Sequence, residues 1–255
     1  KNNSFLKKIF KKIDCVVHLA AGTSVIESIK SPLSNFRENL IPTLNLLNLS
    51  KDKKVKKFIF ASSGGAIIGE KNNIVNENIV PEPSSPYGAS KAACEAFCIA
   101  FSKSYGLNVK CLRFSNVYGP NSWHKKSIVA TFYKNILRNK RTTIYGDGTQ
   151  TRDFIFVDDI CKGIIKSMNS NYNGIINLGA GKSYNLKYLI KKIKKVTKSR
   201  VKINYQNFRK GEIKKAKIDN SKAISLIKFS ASQSFEEGLK KTWEWFNSYK
   251  KNFFK

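Results

Sequence analysis

A tyrosine and a lysine lie four residues apart in the stretch SPYGASKAACEAF (85–97), as Tyr87 and Lys91. Residues at this spacing share one face of an α-helix, so the phenol and the ammonium group can act on one bound molecule. Free tyrosine has a pKa of about 10 and is a weak base at neutral pH. A neighbouring ammonium group stabilises the phenolate and lowers that pKa, which suits the pair to acid–base catalysis. Because the same spacing also occurs by chance on helices, only the rest of the chain can show whether this pair is catalytic.

The first half of the chain alternates between strand and helix patterns around this pair. Apolar, β-rich runs at 14–20, 56–62 and 108–119 predict strands, and the segments 38–50 and 87–106 predict helices. Continuous apolar strands separated by helices are typical of βαβ units, in which helices cover both faces of a parallel sheet. The pattern therefore predicts an α/β fold.

Beyond residue 120 the pattern is less regular. We predict a helix near 127–139 and a strand, glycine-rich turn and helix at 174–193; the segments 142–148 and 152–168 lie between them, the latter with a helix after Asp159. An amphipathic helix follows at 234–246. We find no repeat and no linker, so the second half is expected to form a smaller lobe packed on the sheet.

The composition restricts the function classes. The chain has 255 residues and a net charge of +30, from 47 Lys+Arg against 17 Asp+Glu. Such a charge can indicate nucleic-acid binding, but only seven residues are arginine, the residue that contacts phosphates and bases in a bidentate way. The lysines are spread along the chain, and the dense run 187–202 has the pattern of an amphipathic helix with a solvated basic face. Nucleic acid is therefore not the expected partner.

The cysteines, histidines and apolar runs exclude further classes. The five cysteines form no C-x-x-C pair, and two isolated histidines are too few for a metal site, so we expect reduced thiols and no metal. The apolar runs are too short to cross a bilayer, and no signal-peptide pattern opens the chain. We predict a cytoplasmic protein without a membrane partner.

A series of motifs extends along nearly the whole chain, and none of them is specific alone. They are VVHLAA (16–21), ENLIPTLNLL (38–47), FASSGGAIIG (60–69), PYGASK (86–91), LRFSNVYGP (112–120), YGDGTQTRDFIFVDD (145–159), NLGAG (177–181) and RKGE (209–212). Together and in this order they resemble the extended short-chain dehydrogenase/reductase family, specifically its NAD-dependent nucleotide-sugar epimerases and dehydratases. The resemblance implies a Rossmann-type, doubly wound parallel sheet with a smaller C-terminal substrate-binding lobe. It also implies a partial NAD-binding domain at 1–120 and a mainly substrate-binding lobe at 121–255, some segments of which return to the sheet.

The resemblance assigns roles to individual residues, NAD as the cofactor and a nucleotide sugar as the substrate. In the implied mechanism, Tyr87 takes a proton from a sugar hydroxyl while the nicotinamide accepts the hydride, and Lys91 holds the nicotinamide ribose and lowers the tyrosine pKa. The implied catalytic residues are Tyr87, Lys91 and Ser63; the implied cofactor contacts are Leu19, Ala20, Ala21, Asn39, Ser62, Tyr87 and Lys91; the implied substrate contacts are Asn116, Arg152 and Arg209.

Departures from the family pattern favour one reaction. The loop SSGGAIIG lacks the adjacent Asp and Glu of 4,6-dehydratases, and we find no Cys/His pair of the epimerase/reductase type. The favoured interpretation is therefore a 4-epimerase of UDP-hexoses or UDP-N-acetylhexosamines. The alternatives are another NAD-dependent nucleotide-sugar dehydratase or reductase, and a truncated, non-catalytic remnant that binds a nucleotide sugar. The slot that usually holds Ser or Thr is Gly64, so either Ser63 supplies the hydroxyl or water replaces it, and Ile68 stands where a tyrosine is usual. Ala216 stands at a position that a bulky tyrosine fills in some family members that act only on glucose and galactose. The smaller side chain leaves room for the N-acetyl group of a substrate.

Some expectations concern the N-terminus and the accessory residues. Residues 1–17 contain no glycine, so the Rossmann G-x-x-G-x-x-G loop is not found and the fold is expected to be N-terminally truncated by about sixty residues, roughly two βα units. Either the sequence is a fragment of a complete epimerase or the gene has lost its cofactor half. The family also implies a homodimer, through helices that include the one bearing Tyr87. We interpret Asp158 and Asp159 as helix caps, and Trp243 and Trp245 as packing residues.

Overall fold

The structure, a computed structural model, describes residues 3–71, 74–208 and 214–250 and is built from helices and short strands. The strands are β1 (Cys15–His18), β2 (Lys57–Ser63), β3 (Asn108–Phe114), β4 (Asn116–Tyr118), β5 (Thr142–Tyr145), β6 (Thr151–Phe156), β7 (Gly174–Leu178), β8 (Ser183–Asn185) and β9 (Ile203–Gln206). The helices are α1 (Asn3–Ile9), α2 (Val25–Lys30), α3 (Pro32–Asp52), α4 (Gly64–Ile68), α5 (Pro86–Tyr105), α6 (Ile128–Leu137), α7 (Val157–Asn169), α8 (Leu186–Thr197), α9 (Ser221–Ile227) and α10 (Phe235–Tyr249). A 3-10 turn at Phe10–Lys12 follows α1.

A parallel sheet with the strand order β1–β2–β3–β7 forms the centre of the first half. Its strands are apolar on both faces because helices cover both of them. On one face Phe58 and Phe60 of β2 pack with Leu47 of α3 and Cys98 of α5. On the other face the sheet packs against helices that include α7 and α9, through a cluster that includes Phe229. This doubly wound arrangement confirms the predicted fold class.

The second half supplies a lobe with its own core. Strands β4, β6 and β8 form one small sheet and β5 pairs with β9. Helices α6, α8 and α10 cover them around an aromatic cluster that contains Phe132, Tyr133, Phe156 and Phe246. Trp243 and Trp245 pack against this cluster, as the sequence predicts for packing residues. Strand β7 and helix α9 come from the second half but belong to the central sheet and its covering layer, and the division at residue 120 stays a prediction.

The segment 108–119, predicted as a single strand and its loop, divides at Ser115. Strand β3 stays in the central sheet, whereas β4 pairs with β6 of the lobe. The Ser115 N–H donates to the Leu178 carbonyl, and its hydroxyl donates to Asp153 at 2.9 Å, so the chain turns from one sheet to the other at this residue. The turn brings Asn116 and Arg152 to the same side of the molecule as the C-terminal ends of β2 and β3.

The described residues include no helix that is both long and apolar enough to cross a membrane.

Candidate active site

Helix α5 carries Tyr87 and Lys91, and its sequence fixes where it begins and ends. Ser85 is the N-cap and its hydroxyl accepts the N–H of Gly88 at 3.2 Å, while Pro86 occupies the first helical position. Gly106 ends the helix with a left-handed backbone, φ 68°, a conformation that glycine adopts without strain. Tyr87 therefore lies in the first turn, at the end of the helix that faces the C-terminal ends of the strands.

Gly88 allows that first turn to approach the loop after β2 closely. A Cβ atom added at Gly88 would lie 2.0 Å from the Ala66 carbonyl oxygen and 2.9 Å from Pro83 Cβ. The Tyr87 N–H is bound by the hydroxyl of Ser28 on α2, at 3.1 Å. The backbone around Tyr87 is thus held between α2 and the start of α4.

Ser63 and Tyr87 meet at this point. Ser63 is the last residue of β2, and it lines the same cavity as Tyr87, with its hydroxyl near enough to the phenol to influence the phenol's pKa. Burial raises the pKa of Tyr87 above its ordinary value, and the nearby Ser63 hydroxyl opposes this effect by stabilising the phenolate. Of the two alternatives for the catalytic hydroxyl, the structure brings Ser63 itself to the phenol.

Lys91 lies one turn further along the helix and is buried. Its ammonium group donates to the Ala61 carbonyl oxygen of β2 at 2.7 Å and lies 4.7 Å from the centre of the Phe60 ring. Burial lowers the pKa of Lys91 to about 8. The sequence led us to expect that Lys91 lowers the pKa of Tyr87, but in the structure its ammonium group is directed to Ala61 and the lowering effect on Tyr87 comes from Ser63.

The segment after β1 is fixed by asparagine side chains on α3. The side-chain oxygen of Asn39 accepts the Gly22 N–H at 2.7 Å, and its Nδ2 donates to the Gly22 carbonyl at 3.2 Å and to Ser90 at 2.9 Å. Asn35 also donates to the Gly22 carbonyl. Asn39, predicted as a cofactor contact, therefore clamps the turn that follows Leu19, Ala20 and Ala21. Leu19 and Ala20 are exposed, and Ala21 lines the cavity described next.

A cavity of about 870 Å³ opens above Tyr87 and Ser63 between the sheet and the lobe. The predicted substrate contacts Asn116 and Arg152 both line it, as does Ala216. Asn116 is exposed and Arg152 half-buried. Arg209, the other predicted substrate contact, lies outside the described residues. A cavity of this size fits the range that ligand sites usually have.

Sequence reasoning missed one wall and the rim of this cavity. Helix α2, with Val25, Ile26 and Ile29, forms the wall, and the loop 124–127 before α6 contributes to the rim. The signal for α2 was the Ser-x-x-Glu pattern at Ser24, whose hydroxyl accepts the Glu27 N–H at 3.2 Å. The loop carries no comparable signal, because only the packing of the lobe brings it to the cavity.

Two acidic residues have structural partners. Asp153 lines the cavity but is fully buried, and it accepts the N–H groups of Ala180 and Gly181, both at 2.9 Å. The prediction that Asp158 and Asp159 cap α7 is wrong, since the N-cap is Phe156 and no side chain caps it. Asp159 instead binds the chain before α10, through the Ser232 hydroxyl at 2.9 Å and the Gln233 N–H at 3.0 Å. The described residues contain no cluster of side chains that could hold a metal ion.

The cofactor predicted from the motifs is compatible with the described residues around Lys91. Ser62, next to Ser63 on β2, has a buried hydroxyl without a hydrogen-bond partner among the described residues. Such a group is costly unless something binds it. Together with the Lys91 ammonium group and the clamped turn at Gly22, it fits the nicotinamide-ribose end of a dinucleotide. The fold and the site thus define an α/β protein of the dinucleotide-binding class.

Comparisons with known proteins agree with this class. The model of the NAD-dependent epimerase/dehydratase family matches residues 1–179. A UDP-glucuronate 4-epimerase from Thermodesulfobacterium geofontis is 38% identical over 247 residues, 96% of this chain and 76% of that protein. The structure of a UDP-N-acetylglucosamine 4-epimerase from Methanobrevibacter ruminantium, in complex with UDP-N-acetylmuramic acid, superimposes with a TM-score of 0.91 at 39% identity, covering 96% of this chain and 80% of that one. The structure of a UDP-glucuronic acid 4-epimerase from Bacillus cereus, in complex with UDP-glucuronic acid and NAD, superimposes with a TM-score of 0.91 at 32% identity. The match covers 96% of this chain and 79% of that one.

The chain belongs to the NAD-dependent epimerase/dehydratase family. The resemblance inferred from the motifs and the predicted enzyme class, the NAD-dependent nucleotide-sugar epimerases and dehydratases, are confirmed. NAD is confirmed as the cofactor at the level of the family.

Proposed function

We propose that this protein interconverts nucleotide sugars that differ at C4, and that its substrates are UDP-hexoses and UDP-N-acetylhexosamines. The observation that carries the proposal is that Ser63 and Tyr87 line the same cavity as Arg152 and Ala216. The similarity to several UDP-sugar 4-epimerases over nearly the whole chain supports the same reaction.

The chain's own groups provide the proton transfer and the binding. Tyr87 takes the proton of the C4 hydroxyl and later returns it, while the Ser63 hydroxyl beside it stabilises the phenolate. Bound NAD would supply the reversible hydride chemistry at C4. The Lys91 ammonium group and the Ser62 hydroxyl would hold the nicotinamide-ribose side. Arg152 would anchor the pyrophosphate while the sugar turns, since a guanidinium group binds phosphate oxygens in a bidentate way.

The side chains of the cavity disfavour the alternatives. Elimination of water needs an acid and a base beside the sugar, but Asp153 is the sole carboxylate among the described lining residues and it is already held by amide N–H groups. An epimerase/reductase would need a Cys/His pair; His124 lines the cavity, but the described lining residues include no cysteine. Inversion at C4 with a tyrosine as the acid–base group requires neither a second carboxylate nor a Cys/His pair.

Ala216 supports the extension to N-acetylated sugars. It lines the cavity with a side chain of one methyl group, and its carbonyl is fixed by the Ser183 hydroxyl at 2.6 Å. A small residue on a fixed backbone leaves volume that a bulkier side chain would fill. That the M. ruminantium relative is a UDP-N-acetylglucosamine 4-epimerase supports the same substrate class.

A tyrosine-to-phenylalanine comparison on α5 tests the role of Tyr87. Tyr87→Phe removes the acid–base group, and we expect at least a 100-fold loss of turnover, within the range that general acid–base catalysis contributes. Tyr105→Phe is the matched control, because Tyr105 lies exposed at the opposite end of the same helix and should keep full turnover. Turnover is measured by proton NMR of the sugar anomeric signals. Retained turnover in Tyr87→Phe would remove the proposed role.

The homodimer expected from the family is part of this proposal. Exposed apolar side chains on the helices beside the sheet support it: Ile41 on α3 and Phe97 on α5 are 43% and 39% exposed. Light scattering of the purified protein checks it, since a monomeric mass at micromolar concentration would contradict it.

A further inference from the structure

A buried ion pair lies one helical turn beyond Lys91. The Glu95 carboxylate is bound by the Arg113 guanidinium group through Nε at 3.0 and 3.2 Å and Nη2 at 2.8 Å. Both residues are almost fully buried, at 3% and 1% exposed. Lys91 and Glu95 are four residues apart on α5 and share the face that packs on the sheet.

Stability alone does not account for this pair. A buried ion pair contributes little net stability, because the desolvation of both charges offsets their attraction. The Arg113 Nη1 atom has no hydrogen-bond partner among the described residues, so the pair retains an unsatisfied donor. An apolar pair of similar volume would cost less, which suggests that the charges serve another purpose at this place.

The surroundings leave Glu95 as the carboxylate that faces Lys91. His18 is buried and neutral, because burial lowers its pKa to about 4. The thiol of Cys94 stays protonated, since burial raises its pKa to about 11. Helix α3 and strand β2 present uncharged groups here, namely Asn39, Thr43, Ser62 and the Ala61 carbonyl. The titratable groups that act on Lys91 are Cys94, Glu95 and Cys98 on α5 and His18 on β1. Beyond them, Cys111 and Arg113 on β3 interact with Cys98 and Glu95, and Tyr87 lies one turn earlier on α5.

We propose that Glu95, fixed by Arg113, is a positioning residue that keeps the buried Lys91 side chain in its ammonium form and in place for the proposed C4 reaction. This inference rests on the proposed function. Glu95 supplies the opposite charge that a buried ammonium group needs, and Arg113 fixes the carboxylate and keeps it from binding Lys91 directly. The Lys91 donor then remains directed at the C-terminal end of β2, 2.7 Å from the Ala61 carbonyl.

A titration of Lys91 in the intact protein tests the proposal without any assay of turnover. The protein is labelled with ¹³C-lysine, the Lys91 signal is assigned from its loss in Lys91→Arg, and its shift is followed against pH. We expect a midpoint of about 8 in the unmodified protein. Glu95→Gln should lower this midpoint by about one pH unit, the size of shift that one nearby charge produces. Arg113→Met should raise it, because the carboxylate is then no longer neutralised.

Opposite shifts separate an electrostatic role from damage to the fold, because general loosening would move both variants the same way. Asp159→Asn is the matched control, since it removes another buried and hydrogen-bonded carboxylate far from Lys91 and should leave the midpoint unchanged. If either variant does not fold, the double variant Glu95→Gln/Arg113→Met, which leaves no unpaired charge, should still lower the midpoint. Unchanged midpoints in the variants that fold would overturn the proposal.

Catalysis provides the second readout. If the protein is an epimerase, the alkaline decline of kcat/KM should move to lower pH in Glu95→Gln, whereas a merely structural role would lower kcat/KM equally at all pH values. If the unmodified protein shows no epimerase turnover, the proposed function fails while the lysine titration still decides on the positioning role.

Discussion

Gly88 offers a sharp test of how the chain positions Tyr87. The residue lies in the first turn of α5 and has no positive φ, so alanine can adopt its backbone conformation. Without a close neighbour, Gly88→Ala would stabilise the helix by about 1 kcal/mol through helix propensity. The structure predicts the opposite sign, because the new Cβ atom would lie 2.0 Å from the Ala66 carbonyl oxygen, a backbone atom that cannot rotate away.

The size of the effect follows from this overlap. Either α5 or the start of α4 must shift, and insertion of a methyl group into a tightly packed place costs about 1–3 kcal/mol. The shift separates Tyr87 from Ser63, because Tyr87 adjoins Gly88 on α5 and Ser63 directly precedes α4. A displacement of about 1 Å at a reacting group can lower catalysis about 100-fold.

Urea unfolding and turnover together measure the outcome. Gly88→Ala should lower the free energy of unfolding by about 1–3 kcal/mol and reduce kcat/KM by about 100-fold. Ala89→Ser is the control, because Ala89 is exposed on the same turn and should change neither quantity substantially. A variant Gly88→Ala that is more stable than the unmodified protein and fully active would refute the reasoning.

Two further predictions concern the substrate and the dependence of stability on pH. Ala216→Tyr should reduce kcat/KM for UDP-N-acetylhexosamines at least 10-fold more than for UDP-hexoses, because the ring occupies the volume of the N-acetyl group; equal losses for both substrates, measured by NMR, would contradict the substrate assignment. In the unfolded chain His18 is protonated below its ordinary pKa of 6.5, whereas burial in the folded protein lowers its pKa to about 4. The free energy of unfolding therefore falls as the pH falls from 6.5 toward 4. Between pH 7 and pH 5 this residue accounts for a loss of about 2 kcal/mol in the free energy of unfolding. Urea unfolding of His18→Gln should therefore show a smaller decrease of that free energy over the same pH range. The exposed His124→Gln serves as its control, and an unchanged loss in His18→Gln would refute the assignment.

Much of the fold was predictable because the pattern of the sequence is local. The apolar runs of β1, β2 and β3 contain the residues that pack against helices on both faces of the sheet. The spacing of apolar residues in α3, α5 and α10 likewise predicts helices. The break between β3 and β4 was not predictable, since it depends on Ser115 meeting Leu178 and Asp153, which are far away in sequence.

The site was predictable to the extent that its parts share one helix or one motif. Tyr87 and Lys91 followed from helical spacing, and Ser63 followed from the order of the motifs. The hydrogen bond of Lys91 to the Ala61 carbonyl could not be predicted, because a backbone acceptor leaves no trace in the pattern of side chains. The pair of Glu95 and Arg113 joins a helix to a strand and becomes visible only in the folded structure.

The most direct test of the central claim follows hydrogen at C4 during turnover. The purified protein is incubated with NAD and UDP-N-acetylglucosamine in D₂O, and the sugar signals are followed by proton NMR. The proposed mechanism predicts that the C4 epimer forms and keeps protium at C4, because the same hydride leaves and returns while Tyr87 exchanges only the hydroxyl proton. Deuterium at C4, a dehydrated product, or no inversion with this sugar or with UDP-glucose would contradict it.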